Sequence, residues 1–283
     1  MLHFPRLGLA LFLTVIMSPP VNATGNCGTK DNMCSTPMGE YALRLPKSTS
    51  EKPIPALLYF HGFGGSGPGS LRNKAMVNAF LEKGYAIIAP SGIKRPGSNF
   101  GPSWSFLPHM TQFRDELAFT KEVLNDASKR HNIDRQNILM GGFSIGGSLT
   151  WYLACKDPTI ARAYAPVAGA FWRPHPDSIE CEGPVKLLHT HGWRDKTVPL
   201  EGRPLRGGRI IQGDVFEGLQ ILRQVNGCKQ MKADEHNTNG KFWRRIWTKC
   251  TKGSALEFAL HTGGHSVPKS WATMAIKWFE GVK

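Results

Sequence analysis

Short apolar runs alternate with segments of helical spacing along most of this chain, and this alternation limits the possible folds more than any other feature. Apolar runs that end at glycine or proline predict strands buried on both faces, and apolar residues three or four positions apart predict helices between them. Strands are predicted over residues 41–45, 56–60, 85–89, 137–140, 161–167, 185–189, 241–248 and 255–260. Helices are predicted over residues 73–82, 111–130, 148–155, 213–225 and 271–279. This order favours an α/β fold, with a mainly parallel central sheet and helices on both faces.

A serine lies at the end of one predicted strand, where a parallel sheet places its chemistry. Gly142-Phe143-Ser144-Ile145-Gly146 joins the strand over 137–140 to the next helix. The glycines permit a sharp turn that exposes the serine hydroxyl at a helix N-terminus. The Gly-x-Ser-x-Gly pattern is weak by itself, and a structural turn with a capping serine is the alternative. The position between a strand and a helix favours Ser144 as a nucleophile.

A nucleophilic serine needs a base and an acid that orients the base, and two later loops supply both residue types. His265 follows the last predicted strand, and Asp195 follows the strand over 185–189. The order serine, aspartate, histidine is the one expected for this kind of sheet. The alternatives are a solvent-facing loop histidine and an aspartate that pairs with neighbouring surface cations. Three other carboxylates are weaker candidates for the acid, because none directly follows an apolar strand: Asp177, Glu201 and Asp214.

The same chemistry needs backbone N–H groups that stabilise a developing oxyanion. One is predicted from Ile145, the residue after the serine. The other is predicted from the glycine-rich loop 61–65, where the N–H of Phe63 is favoured and that of Gly64 is the alternative. A phosphate-binding role for this loop is disfavoured, because the usual glycine-rich phosphate patterns are missing from the sequence.

Histidines suggest a second kind of site. His189 and His191 are two residues apart at a strand end, and with His61 or His265 they are candidate zinc ligands. No aspartate or glutamate completes a known zinc spacing. We therefore expect no metal and no cofactor.

Five segments occur in a fixed order, and together they resemble one family. They are residues 58–65, 142–147, 165–170, 191–195 and 263–266. From about Met38 to the C-terminus, the chain resembles the polyhydroxybutyrate depolymerase and feruloyl/acetylxylan esterase family of exported α/β-hydrolases. The resemblance implies an α/β-hydrolase fold and a carboxylic ester substrate that is a small molecule, a polyester or an ester linked to a polysaccharide. It implies Ser144, Asp195 and His265 as the catalytic triad of a serine esterase.

The chain departs from that family at three places that bear on the substrate. The segment 101–105 is only loosely similar to the family's tryptophan-containing segment, and residues 114–116 stand where relatives often carry two aspartates. The insert over 201–213 is unusually basic. Aromatic residues in loops after strands are candidates for substrate binding, with ordinary packing as the alternative. They are Trp104, Trp172 and Trp193.

Other functions remain open at this point. The same scaffold is compatible with a peptidase, a lipase or a thioesterase. The net charge of +14 is also compatible with a non-catalytic protein that binds a polyanion. No nucleic-acid motif surrounds the basic clusters, so a soluble protein with a basic surface is favoured and no nucleic acid is expected as a partner. The sequence indicates no particular oligomeric state.

The N-terminus predicts export from the cell. An apolar run over 7–17 follows Arg6, and small residues lead to a cleavage site near Ala23. We expect residues 1–23 to be a signal peptide and residues 24–283 to form a single catalytic domain. The mature protein is then secreted or periplasmic, without stable membrane insertion. An uncleaved membrane anchor is the alternative.

The cysteines agree with export. Six cysteines follow the predicted cleavage site, and an even number in an exported chain predicts disulfides. Six cysteines allow 15 connectivities, and buried free thiols are the alternative. Pairing of sequence neighbours is the simplest hypothesis, and related chains often carry cysteines at the last two pairs of positions. These pairs are Cys27 with Cys34, Cys155 with Cys181, and Cys228 with Cys250.

Overall fold

The computed structural model describes residues 27–29, 31–47, 52–97 and 99–282, so the predicted signal peptide lies outside the described residues. Within them, the strands are β1 (Cys34–Thr36), β2 (Gly39–Arg44), β3 (Ile54–Phe60), β4 (Ala86–Pro90), β5 (Ile133–Phe143), β6 (Ala163–Val167), β7 (Trp172–Arg173), β8 (Lys186–Gly192), β9 (Arg203–Leu205), β10 (Ile210–Gln212), β11 (Glu235–Asn237), β12 (Trp243–Trp247) and β13 (Ala255–His261). The helices are α1 (Gly67–Ser70), α2 (Lys74–Glu82), α3 (Glu116–His131), α4 (Ile145–Lys156), α5 (Val215–Val225) and α6 (Trp271–Gly281).

Ten of the strands form one sheet, in the order β1-β2-β4-β3-β5-β6-β8-β13-β12-β11. The inner strands from β4 to β13 pair in parallel, and the strands at both edges pair antiparallel. The mainly parallel sheet predicted from the sequence is therefore confirmed. A parallel centre aligns the carboxyl ends of its strands at one edge, which is where such folds place their active sites.

Both faces of the sheet are buried, which explains why its central strands are continuous apolar runs. In β3, Leu58 and Phe60 belong to the core cluster that α3, α4 and α5 cover. Leu57 and Tyr59 belong to the cluster on the opposite face, under α2 and α6. Successive side chains of a strand point to opposite faces, so one strand contributes to both cores.

Helix α3 begins later than its apolar spacing predicts. The sequence predicted a start at Thr111, whereas the helix begins at Glu116. Asp115 determines this start, because its carboxylate accepts hydrogen bonds from the N–H groups of Leu117 and Ala118. Such a cap satisfies N–H groups that have no partner inside the helix, so it defines the first turn more sharply than periodicity does.

The basic insert over 201–213 contains structure that the sequence pattern did not predict. Strands β9 and β10 lie in it and form a three-stranded antiparallel sheet with β7. These strands are two or three residues long, which is too short for an alternating pattern to be recognised. The small sheet stands beside the carboxyl edge of the large one, since Trp172 and Gln212 line the same cleft as Ser144.

Three disulfides join sequence neighbours as expected: Cys27–Cys34, Cys155–Cys181 and Cys228–Cys250. Disulfides persist in oxidising compartments, so these three agree with an extracellular protein. In the part of the chain that the structure describes, no helix combines the length and the apolar character needed to cross a membrane.

Candidate active site

Ser144 occupies the turn between β5 and α4 in a conformation that L-residues rarely adopt, with φ 58° and ψ −124°. Neighbouring glycines make this turn possible. A Cβ atom on Gly142 would lie 2.4 Å from the carbonyl oxygen of Gly146, and one on Gly146 would lie 2.4 Å from that of Phe60. A strained backbone at a non-glycine residue costs about 1–3 kcal/mol and is typical of functional turns. The turn holds the serine hydroxyl at the carboxyl edge of the sheet.

Three side chains predicted from separate loops meet at this edge. The Nε2 atom of His265 lies 2.9 Å from the Oγ atom of Ser144, and its Nδ1 atom lies 2.7 Å from Oδ2 of Asp195. Because the carboxylate accepts the Nδ1–H, the neutral imidazole carries its lone pair on Nε2, facing the serine hydroxyl. This geometry allows the histidine to take a proton from the serine.

Asp195 is buried and fixed by the backbone of its own turn. Its Oδ1 atom accepts hydrogen bonds of 2.9 Å from the N–H groups of both Thr197 and Val198. Burial by itself raises the pKa of this carboxyl group, but the hydrogen bonds from His265 and Val198 outweigh burial and hold the pKa below its ordinary value. Asp195 is therefore ionised at neutral pH, as an orienting acid requires.

The three weaker candidates for the orienting acid cap helices or lie exposed at the surface. Asp214 caps α5 by accepting the N–H groups of Phe216 and Glu217. Asp177 caps the short 3-10 helix Ser178–Glu180. Glu201 is exposed.

His189 and His191 form a buried hydrogen-bonded chain behind Asp195. The Nε2–H of His191 donates to the carbonyl oxygen of Val198 at 2.8 Å, and His191 Nδ1 lies 2.9 Å from His189 Nε2. The indole N–H of Trp151 donates to His189 Nδ1 at 3.3 Å. The carbonyl of Val198 can only accept and the indole of Trp151 can only donate, so both ends of this hydrogen-bonded series require the same tautomers. Each of the two histidines carries its proton on Nε2. Burial lowers the pKa of both histidines.

The geometry of these histidines disfavours the zinc site considered from the sequence. Each ring nitrogen of His189 and His191 is occupied by a hydrogen bond, so no lone pair faces a common centre. Among the described residues, the one cluster with metal-ligand geometry is Cys27, Cys34 and His131, and its two cysteines are joined in a disulfide.

Two backbone N–H groups beside Ser144 have no acceptor among the residues that the structure describes. They belong to Ile145 and Phe63, and both residues line one cleft with the serine. The alternative donor, Gly64, is occupied because its N–H donates to the carbonyl oxygen of Pro102 at 2.8 Å. The arrangement therefore favours Phe63 over Gly64 as the second oxyanion donor.

The loop that carries Phe63 is anchored by His61, whose role the sequence did not indicate. Its Nδ1–H donates to the carbonyl oxygen of Gly62 at 2.7 Å, and its Nε2 accepts the N–H of Gly92 at 2.8 Å. The indole N–H of Trp104 donates to the carbonyl oxygen of His61 at 2.8 Å. Burial lowers the pKa of His61, which favours the neutral ring that this pattern needs.

A second unpredicted element is the buried ion pair of Arg114 and Glu116, whose charged atoms lie 2.9 Å apart. Glu116 accepts the N–H of Ser105, and Arg114 donates to the carbonyl oxygen of Ser91. The pair thus ties Ser91 and Ser105 of the loop 91–110 to the start of α3. In the sequence, this ion pair was signalled by the departure of residues 114–116 from the family pattern.

Ser144 opens into a cleft of about 640 Å³ between the loop 91–110 and the small sheet. Two of the three predicted substrate-binding tryptophans, Trp104 and Trp172, are among the residues that line this cleft, but they are only 2% and 6% exposed, so they pack mainly within the protein. Trp193 is 58% exposed and is not among the residues that line it. Clefts of this size accommodate a small aromatic molecule.

A mainly parallel sheet with a serine at a strand–turn–helix junction is the arrangement that defines the α/β-hydrolases, and this protein is one of them. More specifically, the chain belongs to the phospholipase/carboxylesterase family, whose model matches residues 47–205, more than half of its length. It is an enzyme of the ester-hydrolysing class.

Curated relatives agree with that class. Feruloyl esterase B of Piromyces equi is 24% identical over 224 residues, which are 77% of this chain and 40% of the relative. A probable feruloyl esterase C of Aspergillus terreus is 21% identical over 279 residues, which are 92% of this chain and 90% of the relative. The chain therefore spans less than half of the first relative and most of the second.

Solved structures share the fold. The acetyl xylan esterase from Aspergillus awamori superimposes with a TM-score of 0.67 at 16% identity, covering 89% of this chain and 96% of that one. The Bacillus cereus carboxylesterase gives a TM-score of 0.56 at 16% identity, covering 88% of this chain and 96% of that one.

Proposed function

We propose that this protein is an exported serine esterase that hydrolyses carboxylic esters through Ser144, His265 and Asp195. The observation that carries the proposal is the continuous hydrogen-bonded chain from Asp195 through His265 to the Ser144 hydroxyl. The free N–H groups of Phe63 and Ile145 beside that hydroxyl support it, because acyl transfer needs oxyanion donors there. The names of the relatives agree with ester hydrolysis.

The proposed reaction proceeds in two halves. Ser144 Oγ attacks the ester carbonyl carbon while His265 Nε2 takes the hydroxyl proton, and Asp195 stabilises the imidazolium. The carbonyl oxygen becomes an oxyanion against the N–H groups of Phe63 and Ile145. His265 then gives its proton to the leaving alcohol, which leaves an acyl-enzyme. A water molecule, deprotonated by His265, hydrolyses the acyl-enzyme and restores the serine.

For the substrate, we propose an ester of the kind named for the relatives, with a feruloyl or acetyl group on a plant polysaccharide. The exposed rings of Phe63, Phe100 and Phe113 in the cleft support an aromatic acyl group, since aromatic rings pack well against one another. Polyhydroxybutyrate hydrolysis stays a prediction from the sequence resemblance. A panel of feruloyl esters, acetylated xylan, polyhydroxybutyrate, long-chain lipids, thioesters and peptides separates these possibilities by kcat/KM.

Labelling with a fluorophosphonate tests the nucleophile directly. We expect the mature protein to be labelled on Ser144, and Ser144→Ala to lose both labelling and ester hydrolysis. Ser266→Ala is the matched control, because it removes an exposed hydroxyl directly after His265 and is expected to keep both. Labelling that persists in Ser144→Ala would refute the proposed nucleophile. Retention on heparin in a protein that never labels would favour the polyanion-binding function.

The same purified protein tests export and domain organisation. We propose that residues 1–23 are removed and that residues 24–283 form the single catalytic domain. N-terminal sequencing of protein from the culture medium or periplasm is expected to begin near Thr24. An intact N-terminus found in a membrane fraction would contradict removal of the segment.

A further inference from the structure

Among the described residues, three arginines line the cleft that contains Ser144, and the proposed ester hydrolysis gives them no role. Arg95 comes from the loop 91–110, while Arg203 and Arg206 come from the basic insert on the opposite side. Arginine side chains therefore line the same cleft from both of its walls.

Contacts with the cleft walls hold these side chains in place without neutralising them. The guanidinium carbon of Arg206 lies 4.9 Å from the ring centre of Phe100, and that of Arg95 lies 5.8 Å from the ring centre of Phe113. Arg203 donates from Nε to the side-chain oxygen of its cross-strand partner Gln212 at 3.3 Å. Arginine packed on an aromatic face keeps its outer N–H groups available for a ligand.

Among the described residues, those that line the cleft supply no negative charge to balance these cations, because none of them is an aspartate or a glutamate. In the described part of the chain, none of the three arginines forms an ion pair, whereas the buried Arg114 is paired with Glu116. A cleft lined by one sign of charge concentrates ligands of the opposite sign.

We propose that this cleft selects esters that carry a carboxylate group beyond an aromatic or apolar part. In such a substrate the ester lies at Ser144, the apolar part packs against the exposed aromatic lining of the cleft, and the carboxylate reaches Arg95 and Arg206. Planar guanidinium and carboxylate groups form two parallel hydrogen bonds, which gives this pairing directional preference. The inference rests on the proposed ester hydrolysis at Ser144, and it narrows the preferred substrates of that site to esters whose acid or alcohol part carries a carboxylate.

Matched substrates test the selectivity on both sides of the ester bond. The first pair is methyl 4-carboxycinnamate and methyl 4-carbamoylcinnamate, and the second is 4-carboxybenzyl acetate and 4-carbamoylbenzyl acetate. Members of each pair have nearly the same shape and differ by one negative charge. In the wild-type protein we expect kcat/KM to be at least about tenfold higher for the carboxylate member of one pair, mainly through a lower KM.

Variants of the arginines test which groups create the selectivity. The measured quantity is the ratio of kcat/KM for carboxylate to carboxamide, so that any general loss of activity cancels. We expect the ratio to fall several-fold in Arg95→Gln and Arg206→Gln and to approach one in the double variant. Arg206→Lys keeps the charge and is expected to keep part of the ratio. Arg209→Gln is the matched control, because it removes the same charge from the same insert outside the cleft lining.

Three outcomes would overturn the inference. They are a wild-type ratio near one for both pairs, a ratio that survives in the double variant, and an equal fall in Arg209→Gln, which would indicate attraction by the net charge alone. Hydrolysis of the neutral esters that still requires Ser144 would leave the proposed function standing in each case. Absence of fluorophosphonate labelling at Ser144, together with no hydrolysis of any member of either pair, would instead contradict the proposed function.

Discussion

At the scale of single residues, Asp195 is the most firmly held member of the proposed triad. Two backbone N–H groups hold Oδ1, and Oδ2 faces both His265 and His191, at 2.7 Å and 3.4 Å. The carboxylate is thus oriented before a substrate binds. An enzyme gains from such preorganisation, because no reorientation is needed when charge develops on the imidazole.

Asp195→Asn tests this orientation. An uncharged amide cannot stabilise the imidazolium, and its NH₂ group favours the wrong histidine tautomer, so we expect kcat/KM to fall by about 10⁴-fold with little change in KM. Steady-state kinetics on a short aryl ester provide the measurement. Asp214→Asn alters a helix cap away from the site and is expected to retain activity. More than a tenth of wild-type activity in Asp195→Asn would exclude Asp195 as the orienting acid.

At the scale of elements, the turn between β5 and α4 joins backbone geometry to chemistry. Gly142, Gly146 and Gly147 would each place a Cβ atom within 2.5 Å of a backbone oxygen. The close packing of strand, turn and helix therefore requires glycine at all three positions. The unusual conformation of Ser144 depends on that packing.

Gly142→Ala is expected to lower both stability and activity. Its new methyl group would contact the backbone at Gly146, and overpacking of this kind costs about 1–3 kcal/mol of unfolding free energy. Chemical denaturation and kcat/KM on the same preparation provide the measurement. Gly281→Ala, at the end of α6, meets no atom of the described residues within 4 Å and is expected to change stability by less than about 0.5 kcal/mol. Equal behaviour of the two variants would contradict the steric explanation.

At the scale of the whole molecule, buried neutral histidines link global stability to pH. His189 is completely buried, and burial together with its neighbour His191 lowers its pKa well below the ordinary value of 6.5. The unfolded chain binds a proton near pH 6.5, whereas the folded chain does not until a lower pH. Stability from this group is therefore complete above about pH 6.5 and falls as the pH decreases below that value.

His189→Gln tests this linkage. Each such histidine contributes a slope of at most about 1.4 kcal/mol per pH unit between pH 6.5 and its folded-state pKa. We expect the unfolding free energy of wild type to fall more steeply than that of His189→Gln between pH 6.5 and pH 5. Urea denaturation at a series of pH values measures both slopes. His236→Gln, at an exposed position on β11, is expected to keep the wild-type slope, and identical slopes for all three proteins would contradict the linkage.

The sequence determined the parallel sheet and the three loops that carry Ser144, Asp195 and His265. Apolar runs are local features, and a parallel sheet brings the ends of its strands to one edge. His265 was therefore predicted to meet Ser144, 121 positions away, and Asp195, 70 positions away. Helix starts were less predictable, as the cap at Asp115 shows, because two capping hydrogen bonds override a weak period.

Contacts between distant segments produced the features that no local pattern encodes. The N–H of Phe63 has no acceptor among the described residues, whereas that of Gly64 donates to Pro102. His189 and His191 are hydrogen-bonded to each other, so these ring nitrogens are not available to a metal. The fold also places Arg95 and Arg206, from distant segments, in one cleft with Ser144. These outcomes depend on contacts between segments that are far apart in the chain. Local sequence constrains the geometry of its own segment, whereas the chemical surroundings of a side chain depend on which distant segments pack against it.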